Sequence, residues 1–404
     1  MQGVHGSDDW EVIVLASKPF KDEYDFRLNQ CVPKGVIVFH DFVGIFRPIV
    51  KFLAQGFPKK SQKSTRQIPK KRTKKKKKNI SLTPFDQYLW DANSALINGK
   101  KIIKKYKPDV IWVNADPWSG FLVADKLSRK YGIPWVADLR DPWTVFEKKM
   151  QWRPAITVKI IKWYEHRFFS SASKVVLNTE TALKAYSEMY PASFRHKFTF
   201  IRNAFNENLL REFGLKPEKK AYVFGYYGGF RDLVPSDDIL RGLSDLIRKH
   251  NLRPSQVQFE VKGNVYPIFW DQVSKYNLES YVSVEDEVNL GYTTVLLRSW
   301  DALLISAVND RKWMIPAKLY DYLYARKPII AISDNEELNS LIEKTASGSC
   351  VATGSREAIL SLFESYYLKG KAQLLDNEEL IRPYGLEEQA SSFLKTLNQV
   401  ARKN

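Results

Sequence analysis

The segment Tyr226-Tyr227-Gly228-Gly229-Phe230-Arg231 closes a β-rich run with two glycines and a guanidinium. Glycines at that point let the backbone approach a ligand closely, and the planar fork of Arg231 matches phosphate oxygens. Plain turn geometry also uses such a pair, and the spacing fits neither a dinucleotide fingerprint nor a P-loop. A second cluster, Ile315-Pro316-Ala317-Lys318-Leu319-Tyr320-Asp321-Tyr322, puts a proline at the first turn of a helical pattern. A helix start of this kind offers unpaired amides and the positive end of its dipole, which suits a diphosphate. Lys318 would neutralise that charge, and Asp321, one turn on, would accept hydrogen bonds from ribose hydroxyls. The competing reading is an i,i+3 pair between Lys318 and Asp321, which stabilises by only ~0.2–0.5 kcal/mol and needs no ligand.

Two segments in the first half end strands with charge. Val113-Asn114-Ala115-Asp116-Pro117-Trp118-Ser119-Gly120 joins a strand to a helix cap, and Ala137-Asp138-Leu139-Arg140-Asp141-Pro142-Trp143 clusters three ionisable groups. Charged groups at the carboxyl edge of a parallel sheet belong to its binding crevice. An Arg140–Asp138 or Arg140–Asp141 ion pair that ties a loop is the alternative. Trp143 offers a flat face for a sugar, or else a packing element beside proline.

These residues need a scaffold of strands and helices in alternation. Apolar β-branched runs at Val12–Leu15, Val36–Phe39, Val110–Val113, Trp135–Leu139, Lys174–Asn178 and Phe198–Arg202 alternate with helical spacing over 86–106 and 119–131 and through Trp163 and Phe169. The pattern restarts with strands at Tyr222–Tyr227, Val257–Val261, Val282–Val284, Ala302–Ile305, Ile329–Ile332 and Cys350–Ala352, and helices at Ser236–His250, Ala317–Arg326 and Glu336–Lys344. Alternation of this kind builds βαβ units and parallel sheets. It predicts an N-terminal domain over 1–205, a second domain over 206–385, and a final amphipathic helix over 386–404 with an apolar docking face. Two doubly wound domains would place a cleft between the carboxyl ends of their strands.

Composition excludes several classes. The chain has 404 residues, enough for two or three domains, and its 19 Gly and 19 Pro are ordinary for a folded protein. Two cysteines, Cys31 and Cys350, make no disulfide framework or zinc motif, which points to a reducing cytoplasm. The five histidines include no pair at metal-ligand spacing, so no protein-held metal or other cofactor is expected. The 63 Lys+Arg exceed the 45 Asp+Glu by 18, and Lys59–Lys78 alone holds 12 of the cations without an acid. That run is expected to be a disordered loop that attracts an anionic membrane surface at about 1 kcal/mol per basic residue near it. No stretch is apolar enough to cross a bilayer, and residues 1–10 do not read as a signal peptide.

In this order the segments resemble the GT-B glycosyltransferases of the family 4 kind, retaining enzymes that use nucleotide-sugar donors. Asp109-Val110-Ile111-Trp112, Ile133 to Trp143, Glu165, Ser173 to Glu180 and Phe200 to Phe205 resemble its acceptor-side half; Phe224 to Gly229, Trp300 to Leu304 and Pro316 to Ile330 resemble its donor-side half. The resemblance implies transfer of a hexose, with retention, from a nucleoside-diphosphate sugar to a lipid-linked or saccharide acceptor, without a metal. It implies Arg231, Lys318 and Asp321 as catalytic residues; Gly228, Gly229, Pro316, Leu319 and Tyr320 as donor-binding; and Asp116, Ser119, Asp138, Arg140, Asp141 and Trp143 as acceptor-side. Relatives have two glutamates eight positions apart, where this chain has Trp313 and Asp321. They also open with a strand and a glycine turn ahead of the one matching Val12–Leu15, so the first strand of the N-terminal domain is expected to be missing. A cytoplasmic enzyme, peripheral on the inner membrane face, follows from the resemblance and Lys59–Lys78 together; nucleic acid is not expected as a partner. The rival readings are a non-catalytic GT-B-like protein that binds polyanions through its basic loop, and a nucleotide-sugar epimerase.

Overall fold

A computed structural model of the chain describes residues 10–17, 32, 34–42, 84–146, 150–151, 153–207, 221–230, 236–286, 288, 292–308, 311–371 and 373–401. The expected basic loop at Lys59–Lys78 and Arg231 lie outside the described residues. Two compact units divide the chain. One takes in Met1–Leu177, Tyr186–Thr199 and Leu394–Asn404; the other, Asn178–Ala185 and Phe200–Phe393. The chain thus passes between units several times, where the sequence pattern places a single join at 205–206.

In the first unit β1 (Ile13–Ser17) and β2 (Ile37–Phe42) pair in parallel as a sheet of their own. A 3-10 turn at Gln87–Asp91 leads into α1 (Ala92–Tyr106), which ends where Lys107 turns left-handed ahead of Pro108. Then follow β3 (Ile111–Ala115), α2 (Ser119–Tyr131), β4 (Trp135–Leu139), α3 (Ala155–Ser171), β5 (Lys174–Leu177), α4 (Glu180–Met189), whose residues up to Ala185 count with the other unit, and β6 (Phe198–Phe200). The strands align as β3-β4-β5-β6, with the first three parallel. Every residue of β4 is buried, because a central parallel strand is covered on both faces. The core is aromatic: Trp143 stacks on Trp118 with ring centres 4.5 Å apart and planes 7° off parallel. Phe168 and Phe85 close on Trp143 from other sides.

The second unit is one parallel sheet. Its strands are β7 (Tyr222–Tyr227), β8 (Val257–Lys262), β9 (Val282–Glu285), β10 (Ala302–Ala307), β11 (Ile329–Ser333) and β12 (Gly348–Val351). They lie in the order β12-β11-β10-β7-β8-β9, with every pairing parallel. On one face α5 (Ser236–His250), α6 (Pro267–Lys275) and α10 (Arg356–Leu368) cover Phe224, Phe259 and Leu304. On the other, α7 (Thr293–Arg298), α8 (Lys318–Ala325) and α9 (Glu336–Lys344) cover Val223, Leu303 and Ile305. The short α11 (Glu378–Ile381) and α12 (Leu386–Val400) complete the chain. Gly225 is needed in β7, since a Cβ there would lie 1.9 Å from the Trp300 ring. Winding runs outward in both directions from β7 and β10. The switch point therefore falls between their carboxyl ends, where doubly wound sheets bind ligands.

Candidate functional site

The carboxyl end of β7 carries Tyr226, Tyr227 and Gly228. Gly228 has φ +96°, a conformation that glycine alone adopts without strain, and a Cβ there would come 3.1 Å from Lys318 Nζ. The Lys318 ammonium lies 3.6 Å from the centre of the Tyr226 ring, near enough for attraction to the ring face. Tyr226 in turn stacks on Phe230 at 3.8 Å. From the next strand, Gly263 fits beneath the turn, where a Cβ would fall 2.5 Å from the Gly228 carbonyl carbon. Tyr322 fixes the register of the two strands at the switch point: its hydroxyl accepts from Tyr227 N at 2.8 Å and donates to the Leu304 carbonyl at 3.2 Å. Backbone, aromatic face and amine thus converge at one end of the sheet, an arrangement that presents positive charge to an anion.

Of the expected donor-side residues, Lys318 and Gly228 lie together here, with Gly229 next in the chain and Asp321 one turn further along the helix that Lys318 begins. Pro316 stands two positions ahead of the helix rather than in its first turn, because α8 begins at Lys318 with Ala317 as its cap. The amides of Leu319 and Tyr320 already bond to the Pro316 and Ala317 carbonyls at 2.9 and 3.1 Å. The helix start therefore offers fewer unpaired amides than the proline spacing implies. Leu319 and Tyr320 turn their side chains into the core, 0% and 1% exposed, so a side-chain role in donor binding is corrected: both are sealed in the apolar cluster on that face of the sheet. Burial pushes the Tyr320 hydroxyl up to about 12.

Asp321 forms no pair with Lys318. Among the described residues it has no hydrogen-bond or ion-pair partner, and burial alone pushes its carboxyl from 3.8 to about 6. A folded value above the unfolded one means that its stabilising contribution is fully present below 3.8 and lost as pH rises through about 6. Above that range the charge costs roughly 2 kcal/mol after allowance for its partial exposure. Asp321→Asn is therefore expected to raise the urea midpoint near pH 8 and leave it unchanged near pH 3.5. Equal gains at both pH values would contradict this origin.

In the first unit most acceptor-side expectations resolve into scaffold. Ser119 is 3% exposed, and its amide and hydroxyl both donate to Asp86, at 2.9 and 2.8 Å. Asp86 thus caps the start of α2, and Ser119 is removed from ligand contact. Asp138 is fully buried and held by Arg140, with Nε–Oδ1 at 2.8 Å, and by Trp112 at 3.3 Å. Burial pushes its carboxyl up against the pull of Arg140. The loop-tying ion pair is thus Arg140–Asp138. Trp143 is 2% exposed within the aromatic stack, and this corrects its expected role as a face for sugar. Asp116 stays exposed, Asp141 half-buried, and the Arg140 side chain 25% exposed.

Spacing gave no sign of the network beneath this loop. Glu165 on α3 is 1% exposed. It accepts from Thr144 N at 3.1 Å, Tyr186 Oη at 2.9 Å, Tyr190 Oη at 3.1 Å and the Thr144 hydroxyl. Burial pushes its carboxyl up while these donors pull it down. Tyr186 also accepts from Trp143 N at 2.9 Å, so one buried acid fixes the loop that follows Asp141. In the second unit Glu337 plays a like part, accepting from the amides of Glu180 and Thr181 at 2.9 Å each and pairing with Arg202. An acid aligned with other charges in space but not in sequence leaves no local signal.

Comparison with known proteins supplies the family context. Residues 81–204, under a third of the chain, match the model of the glycosyl transferase 4-like domain. No match was found among curated protein sequences. The chain is similar in structure to a sucrose-phosphate synthase from Thermosynechococcus elongatus: TM-score 0.62, 14% identity, covering 96% of this chain and 99% of that one. It is equally similar to HepE from Anabaena in complex with UDP-glucose, with TM-score 0.62, 13% identity and coverage of 96% and 99%. A UDP-forming α,α-trehalose-phosphate synthase from Burkholderia xenovorans, in complex with glucose-6-phosphate, gives TM-score 0.56 at 10% identity over 78% and 79%. At these identities the likeness shows the fold. Residues 81–204 are therefore similar to the glycosyl transferase 4-like domain, and the chain has an α/β fold of two Rossmann-like units of the GT-B kind.

Proposed function

We propose that the protein is a glycosyltransferase that moves a hexosyl group, with retention, from a nucleoside-diphosphate sugar to a saccharide or lipid-linked acceptor. The observation that carries this reading is the Lys318 ammonium, held over the glycine turn at the switch point of the second unit. As the anomeric C–O bond breaks, its electron pair goes to the diphosphate oxygen, and a fixed cation stabilises that charge most in the transition state. Arg231 follows the same turn in sequence and is assigned to the same phosphates. Asp321, one turn along α8, is assigned to the ribose hydroxyls, which need its ionised form; donor binding should therefore weaken as pH falls below about 6. Arg140, Asp141 and Asp116 are assigned to the acceptor, because they keep access to solvent. The reading needs no protein-held metal, since the leaving charge is met by side chains. The names of HepE bound to UDP-glucose and of a UDP-forming synthase make uridine the first base to try.

UDP and UDP-glucose at saturation are expected to raise the thermal midpoint, since a ligand at about 100 times its Kd stabilises by roughly 2.7 kcal/mol. Silence with uridine, guanosine and adenosine diphosphates alike would remove the donor assignment.

A further inference from the structure

We propose that the helix layer of the first unit, α1, α2 and α3, docks on an anionic lipid surface. This goes beyond the donor site, and beyond the tether expected at Lys59–Lys78. α2 packs against both α1 and α3. The three helices carry four, three and three Lys or Arg respectively. Their only acids are Asp125 and Glu165, each 1% exposed and each held by internal partners. No acid on these helices reaches solvent. Soluble surfaces usually intersperse the two signs, so a layer with all its exposed charge positive is matched to an anion.

The apolar residues identify which anion. On α3, Ile156, Ile160 and Trp163 are 65%, 39% and 56% exposed. Their spacing of four and three places them in one stripe, with exposed Lys159 and Lys162 beside it and Thr157, Ile161 and Phe168 on the buried side. Ile97 on α1 is 55% exposed. Between α1 and α2 lies an open recess of about 230 Å³, lined in part by Trp90, Leu96, Leu122 and Lys126. A polynucleotide would neutralise the lysines yet leave the isoleucines in water. A bilayer interface takes both: headgroup phosphates meet the lysines, the aliphatic stripe enters the acyl boundary, and tryptophan rests at headgroup depth. No described helix is long and apolar enough to cross a membrane, so the mode is lying on the surface.

The full chain is to be sedimented with phosphatidylcholine vesicles, with and without about a third phosphatidylserine. Binding is expected only with the anionic lipid. Ile156→Glu/Ile160→Glu/Trp163→Glu should lower the partition coefficient about tenfold or more, since it removes the apolar stripe and puts three negative charges in its place. Lys159→Gln/Lys162→Gln should weaken binding in the same direction. Brominated acyl chains should quench the fluorescence of the parent more than that of Trp163→Phe, a change too mild to disturb folding. Retained UDP stabilisation in each variant separates this test from the donor site. Partition of the triple variant within about twofold of the parent, or equal quenching in the parent and Trp163→Phe, would overturn the proposal. So would polyuridylate binding that falls in the triple variant while vesicle binding does not, which would assign the face to nucleic acid.

Discussion

Lys318→Ala is expected to abolish stabilisation by UDP and to lower kcat/KM for glycosyl transfer by about 10²- to 10³-fold, the range seen when one preorganised donor to developing charge is lost. The size follows from placement. The ammonium is fixed by the Tyr226 face and the Gly228 turn, so it meets the diphosphate without reorganising, and no neighbouring lysine substitutes for it at that turn among the described residues. Because Lys318 is half-buried rather than part of the core, the apo protein should unfold at nearly the parent temperature. Lys318→Arg provides the geometric control. A Cβ at Gly228 would already lie 3.1 Å from the amine, and the bulkier guanidinium should restore charge but only part of the rate. Full activity in Lys318→Ala, measured as transfer of radiolabelled sugar, would end the assignment of this turn to the donor.

The largest stability effect is expected at Glu165→Ala, about 3–5 kcal/mol. The side chain answers three buried hydroxyls and one buried amide, and each buried donor left without a partner costs roughly 1–3 kcal/mol. The hydroxyls can re-pair in part, which keeps the total below the sum. Glu165→Gln should cost less, because its carbonyl still accepts and the tyrosine hydroxyls can rotate to receive its NH2. A chain of two units need not unfold in one step, so amide hydrogen exchange at Trp143 and Thr144 is the sharper readout. Both amides should lose protection in Glu165→Ala, and with them the loop that carries Arg140 and Asp141 should loosen. Unchanged exchange at both would show that the loop stands without the acid.

Local sequence fixes most strands and many helices of this fold because their signals are short-range. Tyr222–Tyr227 is a run of β-formers, Ser236–His250 opens with acids and closes with cations, and Glu336–Lys344 follows an Asn cap; each appears with the bounds that its pattern gives. Several of the described helices lack such a signal. In Arg356–Leu368 apolar residues occur on nearly every side, so no clean 3.6-residue period emerges. Thr293–Arg298 is six residues long and opens with a β-branched run that also suits a strand. Pro267–Lys275 begins on a proline after a glycine-bearing turn, which reads as loop.

The candidate site divides in the same way. The glycine turn and Lys318 are legible because a strand end, a glycine pair and a helix start are local features that one sheet edge must bring together. Whether a charged residue faces ligand or neighbour is decided in three dimensions. Asp138 and Asp141 stand three positions apart in one motif, yet the first is sealed beneath Arg140 and the second keeps access to solvent. Trp143 could stack on sugar as well as on Trp118 until packing chose. Glu165 and its tyrosines, 21 and 25 positions away, meet only in the folded unit. Pattern sets where each side chain begins; burial, a property of the whole unit, sets what its charge costs and therefore what it can do.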